Sequence, residues 1–193
     1  MKDFAGKVAV ITGAGSGFGR EFARLGAGLG MKLALADIQP DALAAVADEL
    51  RGLGAQALVE TVDVSRADHI ERLARRTLDA YGAVHLLFNN AGVAAGGLVW
   101  EATQKDWEWV LGVNLWSVIY GVRTFVPAML AQGDECHVVN TASVAGLLSP
   151  QMMGVYNVSK HGVVTLSETL YQDLRVVGAR IGVSVLCPAF VPT

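Results

Sequence analysis

Hydrophobic positions follow two alternating patterns along the chain. Short apolar runs occur at Val8-Ala9-Val10-Ile11, Leu33-Ala34-Leu35-Ala36, Ala57-Leu58-Val59, Val84-His85-Leu86-Leu87-Phe88, His137-Val138-Val139 and Val183-Ser184-Val185-Leu186. Their near-continuous Val, Leu and Ile content predicts strands covered on both faces. Between them lie stretches of helical period. Ile70, Leu73, Ala74, Thr77, Leu78 and Tyr81 share one helix face, and Arg72, Arg75 and Arg76 take the other. Asp68, Glu71 and Asp79 dilute those arginines, which predicts a solvated surface. Two longer helices are predicted around residues 107–131 and 156–178. Their stripes are Trp107, Val110, Leu111, Asn114, Leu115, Val118, Val122 and Val163, Leu166, Leu170, Leu174, Val177.

Strand–helix alternation over the whole length predicts an α/β fold, with a doubly wound parallel sheet in a three-layer α/β/α arrangement. At 193 residues the chain fits one domain spanning 1–193. No internal repeat or linker interrupts it.

Composition narrows the classes. Apolar residues are 52% and charged residues 17%, too apolar a balance for a disordered chain. The 15 Lys+Arg are interleaved with 18 Asp+Glu for a net charge of −3, so no nucleic-acid surface is expected. No run of 18 apolar residues occurs, so no membrane span is expected. Met1-Lys2-Asp3-Phe4-Ala5-Gly6-Lys7 has no leader pattern, which predicts an unprocessed, cytoplasmic protein. Cys136 and Cys187 form no CxxC, and His69, His85, His137 and His161 fall in no metal-ligand spacing, so no metal is expected.

The chemistry lies in the loops after the strands. The first strand runs into Thr12-Gly13-Ala14-Gly15-Ser16-Gly17-Phe18-Gly19, followed by a helix. Glycines there let the backbone approach a pyrophosphate, and the helix N-terminus offers free N–H groups and a positive dipole. Asp37 ends the second strand, 18 residues after Gly19, near the offset for a carboxylate on the adenosine ribose. It could also cap a helix. Asp63-Val64 follows the third strand; Asp63 would bind an adenine amino group or cap the next helix.

Tyr156 and Lys160 are four apart at the start of a helical stripe, so phenol and ammonium share a face. A phenol titrates near 10, and lowering it three units takes about 4 kcal/mol. One cation ~4–5 Å away at an effective dielectric of ~20 supplies about that. Ser143 lies just past the fifth strand, where a hydroxyl can hold a substrate oxygen or be an ordinary loop residue. Asn114 sits on an apolar face, so it is either a satisfied core amide or a group holding a water that links Lys160 to solvent.

Together these segments resemble the classical short-chain dehydrogenase/reductase family. The Gly-rich loop, Asp63-Val64, Asn89-Asn90-Ala91-Gly92, Asn114, Ser143, Tyr156-Asn157-Val158-Ser159-Lys160 and Pro188-Ala189-Phe190-Val191-Pro192-Thr193 occur in the family's order. The resemblance implies a Rossmann-like fold and an oxidoreductase that moves a hydride between a nicotinamide cofactor and an alcohol or ketone. Tyr156 would transfer the proton, and Lys160 would bind the nicotinamide ribose and lower the phenol pKa. Ser143 would position the carbonyl or alcohol, and Asn114 would hold a relay water. Asn90, Ala91 and Gly92 would line the cofactor site; Pro188, Val191 and Thr193 would surround the carboxamide. Two departures stand out. The family usually has Pro-Gly where this chain has Pro188-Ala189. Members also continue with a substrate-covering segment and a seventh, last strand, which are absent from this chain.

Three further expectations follow. Asp37, trailed by the non-basic Ile38, Gln39 and Pro40, favours NAD over NADP. Val93, Ala145, Leu147, Met152, Met153 and Phe190 favour an uncharged, fairly hydrophobic small-molecule alcohol or ketone. Trp109, Trp116 and Tyr120 follow the i, i+7, i+11 rule on a second helix face, which predicts a homodimer or homotetramer interface unless a neighbouring segment covers it. The resemblance points to the same helices. A non-catalytic NAD-binding sensor and a methyltransferase keep the glycine loop too, but neither needs Ser143, Tyr156 and Lys160 together.

Overall fold

The computed structural model describes residues 1–189 and 191. Six strands form one parallel sheet: β1 (Val8–Thr12), β2 (Lys32–Asp37), β3 (Ala57–Thr61), β4 (Leu86–Asn89), β5 (Cys136–Thr141) and β6 (Ile181–Leu186). Their spatial order is β3-β2-β1-β4-β5-β6. The chain leaves β1 in one direction toward β2 and later returns to β1's other side with β4, so a crevice opens beyond the strand ends at that reversal.

The helices are α1 (Gly17–Gly28), α2 (Pro40–Gly52), α3 (Ala67–Tyr81), α4 (Gln104–Leu111), α5 (Ser117–Gln132) and α6 (Gly154–Val176). Alternate strand residues serve opposite layers. Ala9, Ile11, Leu33 and Leu35 pack with Ala23, Leu43 and Leu50 under α1 and α2. Val10, Ala34, Leu87 and Val138 pack with Ile70, Leu73, Phe125 and Leu174 under α3, α5 and α6.

One predicted element differs. The helix expected over residues 107–131 is broken into α4 and α5 by a π-helical turn at Gly112–Trp116. Asn114, within that turn, is wholly buried. Its Oδ1 accepts from the Val93 N–H at 2.7 Å; its Nδ2 donates to the Val93 carbonyl at 2.8 Å and to Ser159 Oγ at 3.1 Å. A π-turn inserts one residue relative to α-helical register, rotating everything downstream by about 100°. This corrects the predicted aromatic stripe. Trp116 and Tyr120 stay together, ring centroids 5.6 Å apart, whereas Trp109 lines the crevice at the strand ends.

The stretch Gln104–Gln132 is long and apolar enough to cross a membrane by length and composition. Val118, Phe125 and Met129 from it are buried against the sheet and its neighbours.

Candidate active site

The crevice is a cleft of about 620 Å³. Gly13, Ser16, Gly17, Phe18, Asp37, Asp63, Val64, Asn90, Ala91, Gly92, Ser143, Tyr156, Lys160, Pro188 and Val191 all line it. Segments more than a hundred residues apart in sequence are thus brought to one place. Thr193 and Phe190 lie outside the described residues.

At one end the cleft is built for anions. Gly13 takes φ +66°, and a Cβ there would press on the Ala91 backbone at 2.9 Å. A side chain at Gly19 would run into the Gly13 carbonyl. The two glycines thus shape the loop, and Gly19 does not itself line the cleft. The N-terminus of α1 has neither a side-chain cap on its N–H groups nor an acidic residue in its first turn. Uncapped N–H groups facing a cleft suit a phosphate.

Asp37 does two jobs. Its Oδ2 accepts from the Gly15 N–H at 2.8 Å and its Oδ1 from the Gln39 N–H at 3.0 Å. Gly15 is therefore held on the carboxylate rather than facing the cleft. Carboxylate oxygens have further lone pairs, so a ribose diol can still be bound. Asp63 is similar: its Oδ1 accepts from the Ser65 N–H at 3.0 Å and from Ser65 Oγ at 2.6 Å. For both aspartates the local turn-forming role and exposure to the cleft coexist.

At the other end stands the Tyr–Lys pair on α6. Lys160 is 3% exposed. Its Nζ donates to the Thr141 carbonyl at 2.9 Å and lies 5.7 Å from the centre of the Tyr156 ring. Burial pushes the Lys160 ammonium down to about 8, opposed by the neighbouring Cys187 sulfur. The position is fixed from β1. Asn90 Nδ2 donates to the Thr12 carbonyl at 3.1 Å, and Thr141 Oγ1 donates to Asn90 Oδ1 at 3.1 Å. A chain of bonds therefore runs from the root of the glycine loop to the lysine.

Ser143 is buried at the mouth of β5, where its Oγ accepts from the Ala145 N–H at 3.1 Å. Pro188 accepts from the Val144 N–H at 2.9 Å, holding the Pro188-Ala189 turn against the same loop. Asn114 does not line the cleft. Both N–H groups of its amide are taken by protein, so a water could meet only its remaining acceptor capacity or the backbone of the π-turn. Ile38, Gln39, Trp109, Val113, Thr141 and Ala142 also line the cleft. Ile38 and Gln39 adjoin Asp37, and Thr141 and Ala142 adjoin Ser143, so proximity to a motif was the available signal. For Trp109 there was none.

The sequence model of the short chain dehydrogenase family matches residues 7–193. A short chain dehydrogenase/reductase from Burkholderia phymatum, solved in complex with NAD, is 60% identical with a TM-score of 0.98, covering 100% of this chain and 68% of that one. The CLA biosynthesis dehydrogenase/reductase of Lactiplantibacillus plantarum is 37% identical over 193 residues, 100% of this chain and 68% of its own length. The cyclohexanol dehydrogenase of an Acinetobacter strain is 37% identical over 179 residues, 92% of this chain and 71% of its own. The strand order, the cleft with its glycine loop and Ser–Tyr–Lys set, and these similarities agree: the chain belongs to the classical short-chain dehydrogenase/reductase family of oxidoreductases.

Proposed function

We propose that residues 1–193 form one dinucleotide-binding catalytic domain that interconverts a secondary alcohol and a ketone with NAD(H). The observation that carries this reading is the buried Lys160 ammonium, tied to Thr141 and facing the Tyr156 ring in the cleft that also holds Ser143. A buried cation costs stability, and the sequence keeps this one with no carboxylate partner among the described residues. Here the charge faces the Tyr156 ring, the one phenol among the described residues that line the cleft.

The uncapped N-terminus of α1 would hold the pyrophosphate, Asp37 the adenosine ribose and Lys160 the nicotinamide ribose. When bound, NAD supplies the hydride acceptor. Tyr156 takes the alcohol proton at its phenolic oxygen, or returns it in reduction, with the Lys160 ammonium beside its ring. Ser143 Oγ bonds the substrate oxygen and fixes the carbon toward the cofactor. Asn114 braces the Val93 strap beside the site. A 2′-phosphate next to Asp37 would bring like charges within ~4 Å, which costs roughly 1–4 kcal/mol and favours NAD over NADP.

The substrate we infer is uncharged and fairly hydrophobic. Val93 and Ala94 line the cleft, and Leu147 and Met152 stand exposed in the segments that follow Ser143 and precede Tyr156. Cyclohexanol dehydrogenase among the relatives acts on an alcohol of that kind. The exposed Trp116 with its Tyr120 neighbour supports a homodimer or homotetramer.

The test is NAD-dependent oxidation of a panel of secondary alcohols by the purified protein and by Tyr156→Phe. General acid–base catalysis of this kind contributes about 10²–10⁴-fold, so kcat should drop by that factor while the Kd for NAD stays put. Near-normal turnover by Tyr156→Phe would remove the assignment.

A further inference from the structure

We propose that Trp109 is a nucleotide-binding residue, its indole forming the wall against which the base of a bound dinucleotide lies; this rests on the NAD reading above. Three observations converge. The indole is 51% exposed, and it lines the same cleft as Asp63, Val64 and Val113. The π-turn sets its direction. With one residue inserted, the downstream positions in phase with Trp109 are Ser117 and Gly121 rather than Trp116 and Tyr120. Both are buried, and Gly121 abuts the Asn89 side chain at the end of β4. Trp109 lies two to three turns earlier, so the face that packs on strand ends at Gly121 overhangs the crevice beyond them. Finally, Gly112 holds this helix close to the loop after β3: a Cβ there would meet Ser65 Cβ at 3.4 Å. That loop carries Asp63 and Val64.

The corner has apolar walls in Val64, Val113 and Trp109, a further apolar side chain in Ile38, and one polar edge in Asp63. A flat heteroaromatic ring with an exocyclic amine matches that chemistry. An indole face stacks on any base, and its area comes with few rotamers to freeze.

The experiment titrates NAD, 5′-AMP and nicotinamide mononucleotide into the protein, Trp109→Phe and Trp109→Ala, by calorimetry and by indole emission. Trp109→Ala should bind NAD and 5′-AMP about tenfold more weakly, the order that aromatic stacking on a base contributes, with the mononucleotide unaffected. Trp109→Phe should keep most of the affinity but lose the emission change that 5′-AMP causes in the parent. If the parent binds NAD while Trp109→Ala binds 5′-AMP as tightly as the parent, the proposal is overturned. A Trp109→Ala protein that instead changes only its oligomeric mass would also overturn it, returning the indole to an interface. If the parent binds no NAD, the underlying reading falls and this one with it.

Discussion

Replacing Lys160 by methionine should make the protein's stability respond differently to alkali. The methionine chain has similar length and fills similar space, and only the charge and its bond to the Thr141 carbonyl are lost. In the folded protein the ammonium is pushed down to about 8, against 10.5 for an unburied lysine. That gap is worth about 3 kcal/mol at ~1.36 kcal/mol per unit. Below about pH 8 folded and unfolded chains both carry the charge, and the folded one bears the full cost of burying it. Between about 8 and 10.5 the folded chain sheds its proton while the unfolded chain keeps it. The unfolded state then binds more protons, so stability rises with pH across that window. Lys160→Met has no such rise. Urea unfolding of both proteins from pH 7 to 10.5 should therefore show the parent gaining about 3 kcal/mol relative to Lys160→Met. Tyrosines and cysteines away from Lys160 are common to both and cancel; Tyr156 and Cys187, which lie beside it, are replaced by phenylalanine and serine in both proteins. A difference flat to within about 1 kcal/mol, the scale of the extrapolation error, would refute the picture of a desolvated ammonium.

Two more outcomes follow from the same geometry. Asp37→Asn should narrow the preference for NAD over NADP by about ten- to a thousand-fold in kcat/KM, the like-charge cost removed; a parent enzyme that already uses NADP equally well contradicts this. Trp116→Glu should dissociate the oligomer in light scattering at micromolar concentration, by placing a charge in the aromatic patch with Tyr120; a parent that is already monomeric, with a mass the substitution leaves unchanged, defeats the interface.

The sheet and the order of its loops were legible because the physical causes are local. Val8–Ile11 and Leu33–Ala36 are apolar on both faces, as buried parallel strands must be, and Gly13 of the first loop sits where the backbone crowds Ala91. The π-turn was not legible. Trp107, Val110, Leu111, Asn114, Leu115 and Val118 satisfy an unbroken α-helical stripe, and what registers the turn is Asn114 bonding to Val93 and Ser159, partners distant in sequence. Trp109 was misassigned for that reason alone. For Asp37 and Asp63 the sequence offered only two competing roles, since spacing cannot show that a carboxylate bonded to its own turn also lines the cleft. His85, read within the fourth strand, falls just before Leu86 yet still joins the sheet, its Nδ1 accepting from the Val8 N–H at 3.1 Å.

The bonded chain Thr12–Asn90–Thr141–Lys160 has a thermodynamic consequence. A free lysine side chain samples many rotamers, and confining it takes about 2 kcal/mol of conformational entropy. Here that disorder is surrendered as the polypeptide folds, because the Thr141 backbone oxygen, itself on a residue held by Asn90, fixes the ammonium. A nucleotide bound as proposed would meet a cation already in place for its ribose, and none of that loss would fall on the association step. The rigidity runs the other way too. A lysine anchored to β5 cannot follow a phenol that drifts, so under the proposed mechanism its charge would act only while the Tyr156 ring stands beside it.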